Sequence, residues 1–291
     1  MNISINDKPA DITLDTEKTL GDVISGMEMW ISTTGNRITG ISVNGQLLGD
    51  DDFSEAFAKS VKDINKLDIS LCSYRELAAE ALCALSETCG LYGASSFDER
   101  RQIAEDWENS VAARFLQTDI SDLYNLAGRS FAGEGLQVQD LLSIIEERLR
   151  EITGPGQEIN GCEALVNSVI KRMEELPLDI QTGKDQRAAE TIQHFSGVGE
   201  KLFRIFFILK SEGLSLDTFT VDGLPVRAFM DELNTALSEL STAYENRDTV
   251  LVGDLSEYEL APRLLKFFSA LKSFSQMPSP FVSAPDFPII K

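Results

Sequence analysis

Histidine is almost missing from this chain: His194 is the only one in 291 residues. Chemistry that needs two imidazoles is thereby excluded, including a di-iron bundle, whose Glu-x-x-His pairs come from two helices. Cysteine is sparse as well. Cys72, Cys83, Cys89 and Cys162 form no C-x-x-C pair, so with one histidine a zinc site lacks its ligands and no metal or cofactor is expected. The four read as reduced, buried and structural thiols, with Cys83 and Cys89 on or near an apolar helix face as small hydrophobes. Basic residues are few, 26 against 47 acids, for a formal net charge of −21. That balance argues against nucleic acid, whose phosphates need clustered Lys and Arg, and against an anionic membrane surface. The charge serves solubility, or steers a basic protein partner. Long apolar runs are lacking too. The densest, residues 202–209, is interrupted by Arg204 and falls short of the roughly 20 residues a bilayer span needs. Met1-Asn2-Ile3-Ser4 has no basic segment leading into an apolar one, so no secretory signal is read and a cytoplasmic location is expected.

What is present is order. Ile3 and Ile5, Ile12 and Leu14, Ile41 and Val43, then Leu67, Ile69 and Leu71 alternate at period two, which places them on one face of a sheet. Between the second and third segments, Leu20, Val23, Ile24, Met27 and Ile31 recur at helical spacing and supply the facing stripe. A turn through Asp7-Lys8-Pro9, a hydroxyl N-cap at Thr16 or Thr19, a stop at Gly35-Asn36 and a hairpin at Asn44-Gly45 punctuate these elements. The order ββα-β-short helix-β over residues 1–72 resembles the ubiquitin-like β-grasp fold. Ubiquitin-like modifiers and sulfur carriers end in a free Gly-Gly. Here Leu71 runs through Cys72-Ser73-Tyr74 into a helix, so the resemblance implies a fused recognition domain and no conjugation chemistry. Asp50-Asp51-Asp52 is no EF-hand loop, since its sixth and twelfth positions hold Glu55 and Val61. It reads as an acidic turn capping the next helix.

Helices fill the remainder. Residues 73–154 form a helical segment of three: Tyr74, Leu77, Ala78, Ala81, Leu82 and Leu85 mark the first, Ile103, Trp107, Val111 and Phe115 the second, Leu141, Leu142, Ile145, Leu149 and Ile152 the third. Gly154-Pro155-Gly156 then breaks the chain and sets a domain edge. Residues 155–274 supply four more helices, with the lengths and short connections of an antiparallel bundle. The first of them ends before Pro177. The second follows an N-cap at Thr182 and is apolar nearly all round over residues 202–209, as a central buried helix is. The last is kinked by Pro262, after a tight corner in residues 245–259. The fold class is therefore α+β: a β-grasp domain followed by a mostly α-helical bundle.

The tail, residues 275–291, is proline-rich and ends the helical pattern. Phe281, Phe287, Ile289 and Ile290 are its candidate partner-binding residues, against self-docking or a loose end. His194 is the one candidate phosphoacceptor. It lies in Ile192-Gln193-His194-Phe195-Ser196-Gly197-Val198-Gly199, on a helix of the bundle. Histidine phosphotransfer domains present an exposed histidine in that setting with Lys at i+3, where this chain has Gly197. Thr182-Gly183-Lys184-Asp185 echoes a phosphate loop but lacks its first glycine and its hydroxyl residue, and a helix-start turn accounts for it. Carboxylate pairs such as Glu146-Glu147 and Glu174-Glu175 read as charged helix faces. No serine sits in a nucleophile elbow. These absences leave a non-enzymatic adaptor or scaffold binding a protein partner as the expected function, with histidine phosphotransfer at His194 as the alternative.

Overall fold

A computed structural model describes residues 1–14, 16–31, 34–49, 52–211 and 218–276. The chain is α+β, an N-terminal mixed sheet followed by a mostly helical region. It divides into two compact units whose boundary falls between Ile145 and Glu146.

The first unit opens with β1 (Asn2–Ile5) and β2 (Lys8–Ala10), joined at Asn6-Asp7, both at positive φ. The turn thus lies one residue before the expected Asp7-Lys8-Pro9, and Pro9 sits on the edge strand, where no ladder donor is missed. Helix α1 (Leu20–Ile31) follows a reciprocal cap. The Asp22 N–H donates to Thr19 Oγ1 at 3.2 Å and Asp22 Oδ2 accepts from the Thr19 N–H at 2.9 Å, which makes Thr19 the capping hydroxyl. Then come β3 (Asn36–Val43), β4 (Gln46–Leu47), the short α2 (Phe53–Phe57) and β5 (Lys66–Ser73). Asn44 and Gly45 both have positive φ, 52° and 86°, as a two-residue hairpin demands. The sheet order is β2-β1-β5-β3-β4, with β1 parallel to β5 and every other pair antiparallel. Ile3, Ile5, Ile41, Val43, Leu67 and Ile69 bury against the α1 stripe, so the period-two reading sets the core face. Ile12 and Leu14 lie beyond β2 and pack at the flank of this core. Five strands with one helix across them are compatible with a β-grasp-like segment.

Ser73 ends β5 and begins α3 (Tyr74–Ala94). Its hydroxyl accepts from the Glu76 N–H at 3.1 Å, and Glu76 accepts from the Ser73 N–H at 2.8 Å. Three helices were expected up to residue 154, but the chain forms α3, α4 (Phe97–Glu108), α5 (Val111–Asp119), α6 (Ser121–Phe131) and α7 (Val138–Thr153). Ser110 explains the split. Its hydroxyl accepts from the Ala113 N–H at 3.0 Å and starts a new helix, leaving Val111 at the first position and 79 % exposed. The sheet is braced on these helices by Arg37, whose guanidinium forks onto Asp119 at 2.8 and 2.5 Å and lies over the rings of Tyr74 and Phe115.

The second unit holds the C-terminal half of α7, then α8 (Pro155–Gly161), α9 (Glu163–Gln181), α10 (Asp185–Ser211), a small hairpin of β6 (Thr220–Val221) and β7 (Leu224–Pro225), α11 (Val226–Glu245), α12 (Thr249–Asp254) and α13 (Ala261–Ser275). Gly154-Pro155 starts a helix, as proline favours the first helical position, and the unit boundary falls inside α7. Helix α9 runs through Pro177 because its last turn is pinned: Leu176 is buried, and buried Asp179 pairs with Arg187 Nε at 3.0 Å. Thr182 closes α9 and does not open α10, its hydroxyl donating to the Leu178 carbonyl at 2.7 Å. Gly183, at φ 73°, completes that C-cap, and Lys184 returns to Asp179. So the phosphate-loop echo is a helix end. Phe206, Phe219, Phe229 and Phe267 centre the core. One ring departs from the expected all-round burial of α10: Phe207 is 58 % exposed, with Lys210 Nζ 5.9 Å over it.

Candidate functional site

The helical unit contains a cleft of about 200 Å³. Its first wall is the β6–β7 turn, where Asp222 and Gly223 both take positive φ and aim Asp222 outward. Its second wall comes from a wide helical turn, residues Leu255–Leu260, with a π-helical hydrogen-bond pattern between α12 and α13. The reason lies two residues on. The ring of Pro262 has no N–H and would press on the carbonyl four residues back in a regular helix, and a wider turn relieves that pressure. Pro262 therefore acts through a π-turn. The corner expected in residues 245–259 contains α12 and most of this turn, and Asp248 caps α12 by accepting from the Leu251 N–H at 3.1 Å.

Phe229, Leu224 and Pro262 are its apolar lining, with Phe229 buried and Leu224 exposed, and Tyr258, 65 % exposed, lines it with them. Three carboxylates and two cations ring the mouth. Arg263 bonds Glu259 closely and reaches Glu232 at 3.4 Å, while Lys266 Nζ lies 2.6 Å from Asp222. Burial works against the Arg263 charge, but Glu259 and Glu232 outweigh it and raise its pKa. A Glu257 hydrogen bond raises the Tyr258 hydroxyl, so the ring stays a neutral phenol. With both cations already paired, one negative charge is left over. The arrangement suits an aliphatic stem with a cationic head, the stem along the apolar lining and the head among carboxylates and over the Tyr258 face. Sequence reading missed this cleft, because its members span residues 222–266 and converge only through the π-turn. Proline before a helical stripe was the visible signal.

His194 is exposed on α10. Arg172 Nη1 on α9 lies 2.7 Å from its Nδ1. Arginine only donates, so Nδ1 is the acceptor and Nε2 carries the hydrogen. The ring lone pair that would attack a phosphorus atom thus faces a guanidinium instead of solvent. A Cβ at Gly197 would meet nothing within 4 Å, so the surface beside His194 is open. Phe281, Phe287, Ile289 and Ile290 lie outside the described residues, as do Asp50 and Asp51. Asp52 accepts from the Gly49 N–H at 3.2 Å and makes no side-chain cap to α2. Of the cysteines, Cys89 and Cys162 are buried and Cys83 is exposed, contrary to a shared buried role. Burial pushes the Cys89 thiol up to about 12, which removes it as a nucleophile.

Two family models match separate parts of the chain. Residues 1–73 are similar to the TP0873 N-terminal domain, and residues 157–269, which include the whole cleft, to a domain of unknown function, DUF8042. No curated protein and no solved structure matches the chain. Among the described residues, no helix is long and apolar enough to cross a membrane.

Proposed function

We propose that this protein is a non-enzymatic cytoplasmic adaptor that holds a basic segment of a protein partner in the cleft of its helical unit. The carrying observation is a cleft lined by Phe229, Leu224, Pro262 and the exposed Tyr258 ring together with three carboxylates against two paired cations. A net charge of −21 supports the same partner chemistry. The N-terminal segment we read as a ubiquitin-like β-grasp domain serving as a tethered recognition surface. Its strand order supports that reading, and so does the direct passage of β5 into α3.

The test is affinity capture from native cells with the full chain, the double variant Tyr258→Ala/Glu232→Gln, and Glu163→Gln as a remote acidic control. A partner with a Lys- or Arg-rich segment is expected to be retained by the wild type and the control and reduced at least about tenfold by the double variant, as loss of a central anchor does. Equal capture by all three would sink the cleft's role. Removal of residues 277–291 in a parallel capture reads the share of Phe281, Phe287, Ile289 and Ile290.

A further inference from the structure

The two cations at the cleft are held in different ways. Arg263 on α13 has three acceptors: its Nη1 bonds the Glu259 carboxylate closely and the Glu259 carbonyl at 3.1 Å, and its Nη2 reaches Glu232 on α11 at 3.4 Å. Lys266, three residues further along α13, has one carboxylate partner, Asp222 Oδ2, and both side chains of that pair are about half open to water. Exposed pairs of this kind contribute little and are easily exchanged. Asp222 itself is placed by the backbone. It and Gly223 are the two loop residues between β6 and β7, where Val221 pairs with Leu224, and both hold positive φ. Among the described residues its other oxygen, Oδ1, has no partner. The cleft thus presents one carboxylate on a tight turn, with one oxygen free and the other plugged by an ammonium on a flexible stem.

We propose, resting on the reading of the cleft as a site for a basic segment, that its guest is an arginine side chain, which takes the place of Lys266 on Asp222. A lysine guest would bring to Asp222 the same point charge that it displaces, an even exchange. A guanidinium does better. Its planar fork engages both carboxylate oxygens, and the same plane stacks on an aromatic face, which the exposed Tyr258 ring supplies in the same lining. The aliphatic part of the guest lies along Phe229, Leu224 and Pro262. Lys266, once displaced, turns its head to solvent, while Arg263 stays bonded to Glu259 and Glu232.

Fluorescence anisotropy of the full chain with labelled oligoarginine and oligolysine peptides of equal length tests this. The wild type is expected to bind oligoarginine about fivefold or more tightly than oligolysine, the margin of a forked over a single charge-assisted bond. Asp222→Asn, which keeps a residue tolerant of positive φ, should erase that preference. Lys266→Arg conserves charge but closes Asp222 with a fork of its own, so oligoarginine affinity should fall about threefold or more. Equal affinity of the wild type for the two peptides overturns the proposal. So does a preference that survives in Asp222→Asn, or a Lys266→Arg variant that binds oligoarginine as the wild type does. The basic-segment reading fails separately, if Tyr258→Ala/Glu232→Gln binds both peptides as tightly as the wild type. A wild type that binds neither peptide removes reading and proposal together.

Discussion

Arg37 links the sheet of the first unit to its helices through one planar head. It leaves the sheet on β3, forks onto Asp119 of α5, and lies over Tyr74 and Phe115, whose ring centroids are 5.9 Å apart. Forked guanidinium–carboxylate pairs and aromatic stacking both depend on the planar head, so lysine is no substitute. Arg37 is half-exposed, which screens part of the Coulomb gain. We expect Arg37→Ala to cost about 1–2 kcal/mol, with Arg37→Lys in between, read by urea unfolding of the full chain. An unchanged midpoint in both variants would mean the sheet needs no such brace.

At the level of elements, the close approach of α12 to α9 rests on Gly253. A Cβ there would sit 3.2 Å from Pro177 Cγ, so the smallest side chain meets the proline that α9 carries in its interior. Gly253→Val is expected to destabilise the helical unit by roughly 1–3 kcal/mol through overpacking, measured as a lowered melting temperature with Gly253→Ala intermediate. Neither partner was legible as a contact in the amino-acid string. Strands were legible, because alternation at Ile3, Ile5, Ile41, Val43, Leu67 and Ile69 is local and periodic. Helices were legible as stripes but not as pieces. Ile103, Trp107, Val111 and Phe115 stay in phase across the Asn109-Ser110 break, although Val111 faces water. The buried pairing of Glu151 was hidden for another reason. Glu147 and Glu151 look like a surface pair at i, i+4, and their partners Lys201 and Arg204 stand more than 50 residues away. A residue four places along a helix can be counted, whereas a pairing between distant helices depends on how they pack.

For the whole molecule, acidity is shared and not localised. Residues 1–145 carry 24 acidic and 11 basic residues, and residues 146–278 carry 22 and 14. Each unit is therefore net acidic on its own count. If the cleft takes a basic segment, its association rate is expected to fall about tenfold or more from low salt to half-molar salt, measured by stopped flow or surface plasmon resonance. A salt-independent rate would assign the charge to solubility alone.

Ser73 carries a consequence for anyone dividing the chain. It is the last rung of β5, opposite Asn36, and also the residue whose hydroxyl opens α3. The similarity to the TP0873 N-terminal domain stops at residue 73, yet a cut there removes the amide that Ser73 caps and takes Tyr74, Phe115 and Asp119 away from Arg37. What family comparison marks as an edge is mechanically a weld, and a fragment severed along it would carry a raw seam where the intact protein has none.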